Sequence, residues 1–317
     1  MASRRVRLNR RGVSILLDAV AFVDGHGDMR SLAIFTWIWA WATGVHGADL
    51  PDVSTVPTDL VVPALSEGTA SPGKRVRVGS AEGVHHVLYL PVDWEAHRRW
   101  PVLVEFAGNG NYRNRFGDES RGRPEDSCLG YGLSAGRGFL WLCLPYLSAD
   151  GTRNVTTWWG DSPRYEVAPT VDYCVRTIEA VCRDYSGDAS RVVLCGFSRG
   201  AIATHFIGLQ DERIAHLWRG FFAYSHFDGP RRWPYPGSDE ASAATRFSRV
   251  GGRPNFVCGE GENAEETRRW LESKYGVSAL GRFTFRGTGF RNHSDTWVLR
   301  PGVVREEARR WLADVVR

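Results

Sequence analysis

The sequence predicts an α/β protein: a mostly parallel central sheet with helices on both faces and a small lid or none. Three observations carry this. Short continuous apolar runs recur along the chain, and stretches with apolar residues three and four apart lie between them. In addition, a β-branched run leads straight into Gly196-Phe197-Ser198-Arg199-Gly200 and then into a small-residue helix.

Residues 1–48 stand outside the fold prediction. Leu32 to Gly44 is an apolar run, too short to span a bilayer comfortably, placed after Met29-Arg30 and before the small residues around Ala48. The expectation is an export signal starting at Met29, with residues 1–28 a mis-assigned start and the mature chain secreted or periplasmic. After signal removal no stable membrane insertion is expected. Net charge is only +4, and much of the excess comes from arginines among the first eleven residues, so nucleic acid is not an expected partner.

From residue 49 a single domain is expected. Lys74–Ser80 and Val84–Val92 are β-rich and separated by Ala81-Glu82-Gly83, which suits an opening antiparallel hairpin. Pro101–Phe106, Gly138–Leu147 and Arg191–Cys195 read as buried strands, followed by Phe221–Tyr224, Asn255–Cys258 and Phe283–Phe285. Val167, Val171, Cys174, Val175, Ile178, Cys182 and Tyr185 form one helical stripe, and Val304, Ala308, Trp311, Leu312 and Val315 form another near the C-terminus. The six cysteines permit disulfides in an exported chain, but three lie within apolar strand-like runs, where a small buried hydrophobe is the commoner role. No CxxC or Cys/His spacing suggests a metal, and no cofactor is expected.

The Gly-x-Ser-x-Gly pattern alone is weak in a chain with 35 glycines. Its setting between strand and helix is the strained turn that exposes a serine Oγ, which makes Ser198 the candidate nucleophile. A serine needs a base held by a third group. His205 and His216 fall in helical stretches and His226 comes early, whereas His293 lies in a loop between the last strand and the C-terminal helix. His293 is therefore the expected base. For the acid, the candidates are Glu262 and Glu260, near the mouth of a strand that ends in a glycine turn, and Asp228 at the end of the preceding strand. The oxyanion donors are expected to be the amide of Arg199, next to the nucleophile, and that of Asn109 in Ala107-Gly108-Asn109-Gly110-Asn111.

On the GFSRG elbow, the AGNGN loop, the GEGE acid strand and the NHSD histidine loop, the chain resembles the α/β-hydrolase superfamily over roughly residues 74–317. It looks closest to secreted polyhydroxybutyrate depolymerases, feruloyl esterases and acetyl-xylan esterases, with Ala107 where the oxyanion loop usually has histidine. The resemblance implies a carboxyl-ester substrate, small or polymeric, and a metal-free acyl-enzyme on Ser198. It also favours Glu262 as the acid over Asp228 and Glu260, since Glu262 stands three residues after Gly259, a G-x-x-D/E spacing common in the superfamily. Trp158 and Trp159, with Asn111 and Tyr112, are expected near the mouth, where the indoles can stack on a sugar or aromatic group. The competing expectations are a serine peptidase of prolyl-oligopeptidase type and a non-catalytic binding protein on the same scaffold. The former normally carries a propeller domain for which this chain has no room; the latter fits poorly with nucleophile, acid and base candidates that occur in order.

Overall fold

A computed structural model describes residues 50–80 and 82–317, all within one compact unit; the expected export signal lies outside the described residues. Nine strands form the central sheet: β1 (Leu65–Ser66), β2 (Arg75–Gly79), β3 (His85–Tyr89), β4 (Trp100–Phe106), β5 (Leu140–Leu144), β6 (Gly187–Phe197), β7 (Trp218–Tyr224), β8 (Asn255–Gly259) and β9 (Phe283–Gly287). Their order is β1-β2-β3-β5-β4-β6-β7-β8-β9. The expected hairpin is β2–β3, antiparallel, and β3 also meets β5 antiparallel. From β5 to β9 every pairing is parallel.

The helices are α1 (Leu129–Ser134), α2 (Ala168–Asp184), α3 (Arg199–Phe206), α4 (Glu212–Ala215), α5 (Glu240–Phe247), α6 (Asn263–Tyr275) and α7 (Val303–Val315). Alternate strand residues face opposite ways, and the core divides accordingly. Val102, Val104, Val192 and Leu194 pack with Val171, Cys174 and Ile178 of α2 and with Ile202 of α3. Leu103, Val193 and Cys195 pack with Leu129 and Leu133 of α1 and with Leu312 and Val315 of α7. Because both faces are covered, β4 is buried at every position and its sequence is continuously apolar apart from Glu105. Glu105 is tolerated because its carboxylate accepts from the N–H groups of Leu129 and Gly130 and from the Trp141 indole.

Two predicted elements are redrawn. The run from Gly138 to Leu147 breaks into β5 and a two-residue ribbon, Tyr146–Leu147, paired with Asn154–Val155. The elbow strand starts earlier, at Gly187, with a register shift before Val192. All six cysteines are unpaired, five of them buried, as small hydrophobes would be. Among the described residues no helix is long and apolar enough to cross a membrane.

Candidate active site

The parallel strands β4, β6, β7 and β8 end on one edge of the sheet, and their exits carry the site. At the end of β6, Ser198 has φ 56° and ψ −114°, left-handed backbone that costs energy in a non-glycine residue. Two close approaches hold it there. A Cβ on Gly196 would lie 2.2 Å from the Gly200 carbonyl, and one on Gly200 would lie 1.9 Å from Phe106 O. Both glycines of the motif are thus required by packing against the neighbouring turn and against β4, even though neither has positive φ. The Ser198 N–H is tied to Tyr224 O at 2.9 Å.

The structure brings Ser198, His293 and Glu260 into one hydrogen-bonded row. Ser198 Oγ lies 2.9 Å from His293 Nε2, and His293 Nδ1 lies 2.7 Å from Glu260 Oε1. The favoured Glu262 is not in this row. It stands at the entry to α6, half exposed, facing Arg269 at 3.6 Å. Asp228 is likewise excluded: its buried carboxylate takes a two-pronged pair from Arg246, at 2.7 and 3.0 Å. The expected order of preference for the acid is therefore corrected in favour of Glu260, directly after the last residue of β8.

Burial alone would raise the Glu260 carboxyl, but the hydrogen bond and charge of His293 outweigh it and hold the group below its ordinary value. Glu260 Oε1 also accepts from Ser225 Oγ at 3.0 Å and Asn263 Nδ2 at 2.8 Å. Ser225 Oγ is itself 3.0 Å from His293 Nδ1, at the exit of β7. With Nδ1–H directed at a carboxylate, Nε2 is left with a lone pair facing Ser198. This arrangement can take a proton from the serine.

His293 is fixed by its backbone too. Its N–H donates to Asp118 Oδ2 at 2.9 Å, while Asp118 Oδ1 accepts from Asn292 Nδ2 at 2.8 Å. Asn292 Oδ1 in turn accepts the Val53 N–H at 2.7 Å, and Pro51 O accepts the Arg291 N–H at 3.1 Å. A strap at 51–53 and the loop around Asp118 thus brace the histidine from two distant parts of the chain. The sequence gives no motif for Asp118 or Ser225; proximity alone reveals them.

The amides expected to serve as oxyanion donors are both without an acceptor among the described residues. The Arg199 amide opens α3 and has no intrahelical acceptor. The Asn109 amide donates to no other group of the described residues, and its side-chain Oδ1 is occupied by the Trp158 N–H at 2.8 Å.

The aromatic expectations divide. Trp159 is wholly buried, stacked on Phe206 and packed against Tyr146 and Tyr235, so it is a core residue rather than a lining one. Trp158 is partly exposed and begins a chain of rings: Trp158 to Trp233 at 5.3 Å, Trp233 to His226 at 5.5 Å, His226 to His293 at 5.4 Å between centroids. Burial, with His293 nearby, pushes His226 down to about 4 and keeps it neutral near pH 7. Tyr112 meets the His293 ring edge-on at 4.9 Å, whereas Asn111 is exposed. Among the described residues no three His, Cys, Asp or Glu are grouped to hold a metal ion.

No protein-family model matches the sequence, and no curated protein matches it significantly. Among solved structures the chain is similar to the S-formylglutathione hydrolase of Agrobacterium tumefaciens, with TM-score 0.51 and 15% identity over 80% of this chain and 99% of that one. It is also similar to a protein assigned as a dipeptidyl aminopeptidase IV of Bacteroides ovatus, with TM-score 0.51 and 13% identity over 76% of this chain and 35% of that one. The chain thus spans about a third of the latter's length. The fold is the α/β-hydrolase fold.

Proposed function

We propose that the protein is a serine carboxylic-ester hydrolase acting through an acyl-enzyme. The observation that carries this reading is the row Glu260–His293–Ser198 at hydrogen-bond distances, with the serine held at positive φ on the elbow. In this reading Ser198 Oγ attacks the ester carbonyl while His293 Nε2 takes its proton. Glu260 holds the imidazole by Nδ1–H and offsets its charge. The carbonyl oxygen, now negative, is met by the amides of Arg199 and Asn109. His293 returns the proton to the departing alcohol, and then water, deprotonated in the same way, releases the acid.

The substrate reading is an ester on a carbohydrate or aromatic carrier, supported by the ring chain from Trp158 through Trp233 and His226 to the reacting imidazole. Export of the mature chain is part of the same proposal, supported by the apolar run before Ala48; N-terminal sequencing of protein recovered from a producing culture's medium or periplasm tests it. A fluorophosphonate probe tests the chemistry. The wild type is expected to label and Ser198→Ala not to. Equal labelling of the two, or none of the wild type, sinks the reading. A panel of acetyl, feruloyl and hydroxyalkanoate esters, with peptide amides beside them, then separates esterase from peptidase.

A further inference from the structure

The side chain of Arg199 has no role in the steps above, yet its placement is costly. The residue is 1% exposed and no carboxylate among the described residues pairs with it. A buried cation without a counterion demands other partners, and the guanidinium has three, all backbone carbonyls. Nη1 donates to Trp158 O at 2.6 Å, and Nη2 donates to Gly108 O at 2.9 Å and to Gly122 O at 3.3 Å. Its Cζ lies over the Tyr146 ring, 3.7 Å from the ring centre. Burial lowers the group only to about 10, so it stays charged at neutral pH.

The bond to Gly108 O is the informative one. The Gly108 C=O and the Asn109 N–H belong to one peptide unit, which is planar and trans, so they point in opposite directions. Fixing the carbonyl on Arg199 fixes the aim of the N–H on the other side. A cation on the carbonyl also polarises the unit and makes its N–H a stronger donor. The remaining contacts close a ring: Arg199 holds Trp158 O, the Trp158 N–H holds Asn109 Oδ1, and Asn109 follows Gly108 directly.

We propose that Arg199 is a positioning residue for oxyanion stabilisation, its guanidinium orienting the Gly108–Asn109 peptide so that the Asn109 N–H converges with Arg199's own N–H. One residue then supplies one donor and aims the other. The inference rests on the serine-hydrolase reading and extends it to a side chain.

The test is kinetic. Arg199→Met, Arg199→Gln and Arg199→Lys are compared with wild type on a short-chain p-nitrophenyl ester, each normalised to the fraction of Ser198 that a fluorophosphonate titrates. The Met and Gln variants are expected to lose roughly 10–100-fold in kcat per titrated site, less than deletion of a donor, with KM within about threefold. Lys keeps the charge but not the three-way reach, and is expected to recover part of the loss. The inhibition constant of a trifluoromethyl ketone, whose hemiketal oxyanion occupies the same hole, rises in step with the loss in kcat/KM. A brace that served only stability would lower the titratable fraction while leaving kcat per site and the inhibition constant unchanged, and that result overturns the proposal. If no Arg199 variant folds, Asn109→Ala, which opens the ring and keeps both amides, decides: a smaller loss in the same two readouts supports the proposal and unchanged values overturn it. A wild type that neither labels nor hydrolyses esters removes the parent reading and this one together; a wild type that does, beside indifferent variants, removes only this one.

Discussion

Replacing Glu260 with Gln keeps the size of the side chain and removes its charge, so it isolates what the carboxylate does for His293. Glu260 Oε1 accepts from His293 Nδ1 at 2.7 Å, and also from Ser225 and Asn263. An amide offers two outcomes there, both poor. If its oxygen faces Nδ1, the forming imidazolium loses its counter-charge. If its NH2 faces Nδ1, the imidazole switches tautomer and Nε2 carries a proton, leaving nothing to accept that of Ser198. The expected loss in kcat is ~10²–10⁴-fold, or about 3–5 kcal/mol of transition-state stabilisation. Glu262→Gln removes only a half-exposed contact with Arg269 at 3.6 Å, the kind of surface pair worth about 0–1 kcal/mol. Its kcat should stay within about twofold. Asp228→Asn breaks a buried pair with Arg246 and is expected to cost about 3–5 kcal/mol of stability while sparing kcat per titrated site. Steady-state hydrolysis of a short-chain ester, normalised by active-site titration, reads all three. A large loss in Glu262→Gln or Asp228→Asn, or full activity in Glu260→Gln, refutes the assignment of the acid.

Three further outcomes follow from the same contacts. Asp118→Ala strips the acceptor from the His293 N–H and from Asn292 and should lower stability by ~1–3 kcal/mol together with kcat, read by urea unfolding and by rate per titrated site; unchanged values would mean the loop does not position the histidine. Burial, then the Glu105 charge, pushes the Asp295 carboxyl from 3.8 up to about 7, so the folded chain keeps a proton there that the unfolded chain releases. Stability therefore falls as pH rises from about 4 to about 7 and stays reduced above that; Asp295→Asn should exceed wild type above pH 7 by about 1–2 kcal/mol, allowing for its part exposure, with the gap shrinking toward pH 4 in urea titrations. Trp233→Ala should raise KM for feruloyl esters by ~5-fold and leave acetyl esters nearly untouched; equal effects on both would remove the ring chain from the substrate reading.

The sheet was legible because its physics is written locally. Strands buried on both faces must be continuously apolar, and β4, β7, β8 and the Val192–Phe197 half of β6 are nearly so, while the stripe on α2 shows which helix face they cover. Elements whose reasons lie elsewhere were not legible. The short helix α1 has a buried face but only six residues, two of them glycine, too few to show a period. Trp159 reads as a loop residue beside Trp158, and only the arrival of Phe206 and Tyr235 from distant segments makes it core.

The acid shows most sharply where spacing arguments end. Glu260 and Glu262 differ by two positions around Gly261, and both follow a strand that ends at the right edge of the sheet. What separates them is the backbone in between. Gly261 has φ 53°, a left-handed turn that suits glycine, and Asn263 already begins α6. The chain therefore swings away from the sheet edge within two residues of Glu260, carrying Glu262 to the helix entry and into solvent. Glu260 leaves directly from the end of β8, and β7 presents Ser225 beside it to share its oxygen. A superfamily spacing counted from Gly259 cannot register that turn, since the count assumes a loop where this chain starts a helix. The same logic explains why Ser198 and His293 are legible as candidates in the sequence. The serine is specified by two glycines that nothing larger can replace, and the histidine by its loop between β9 and α7. The proposed acid has no such local marker: which carboxylate reaches His293 follows from where the helix begins.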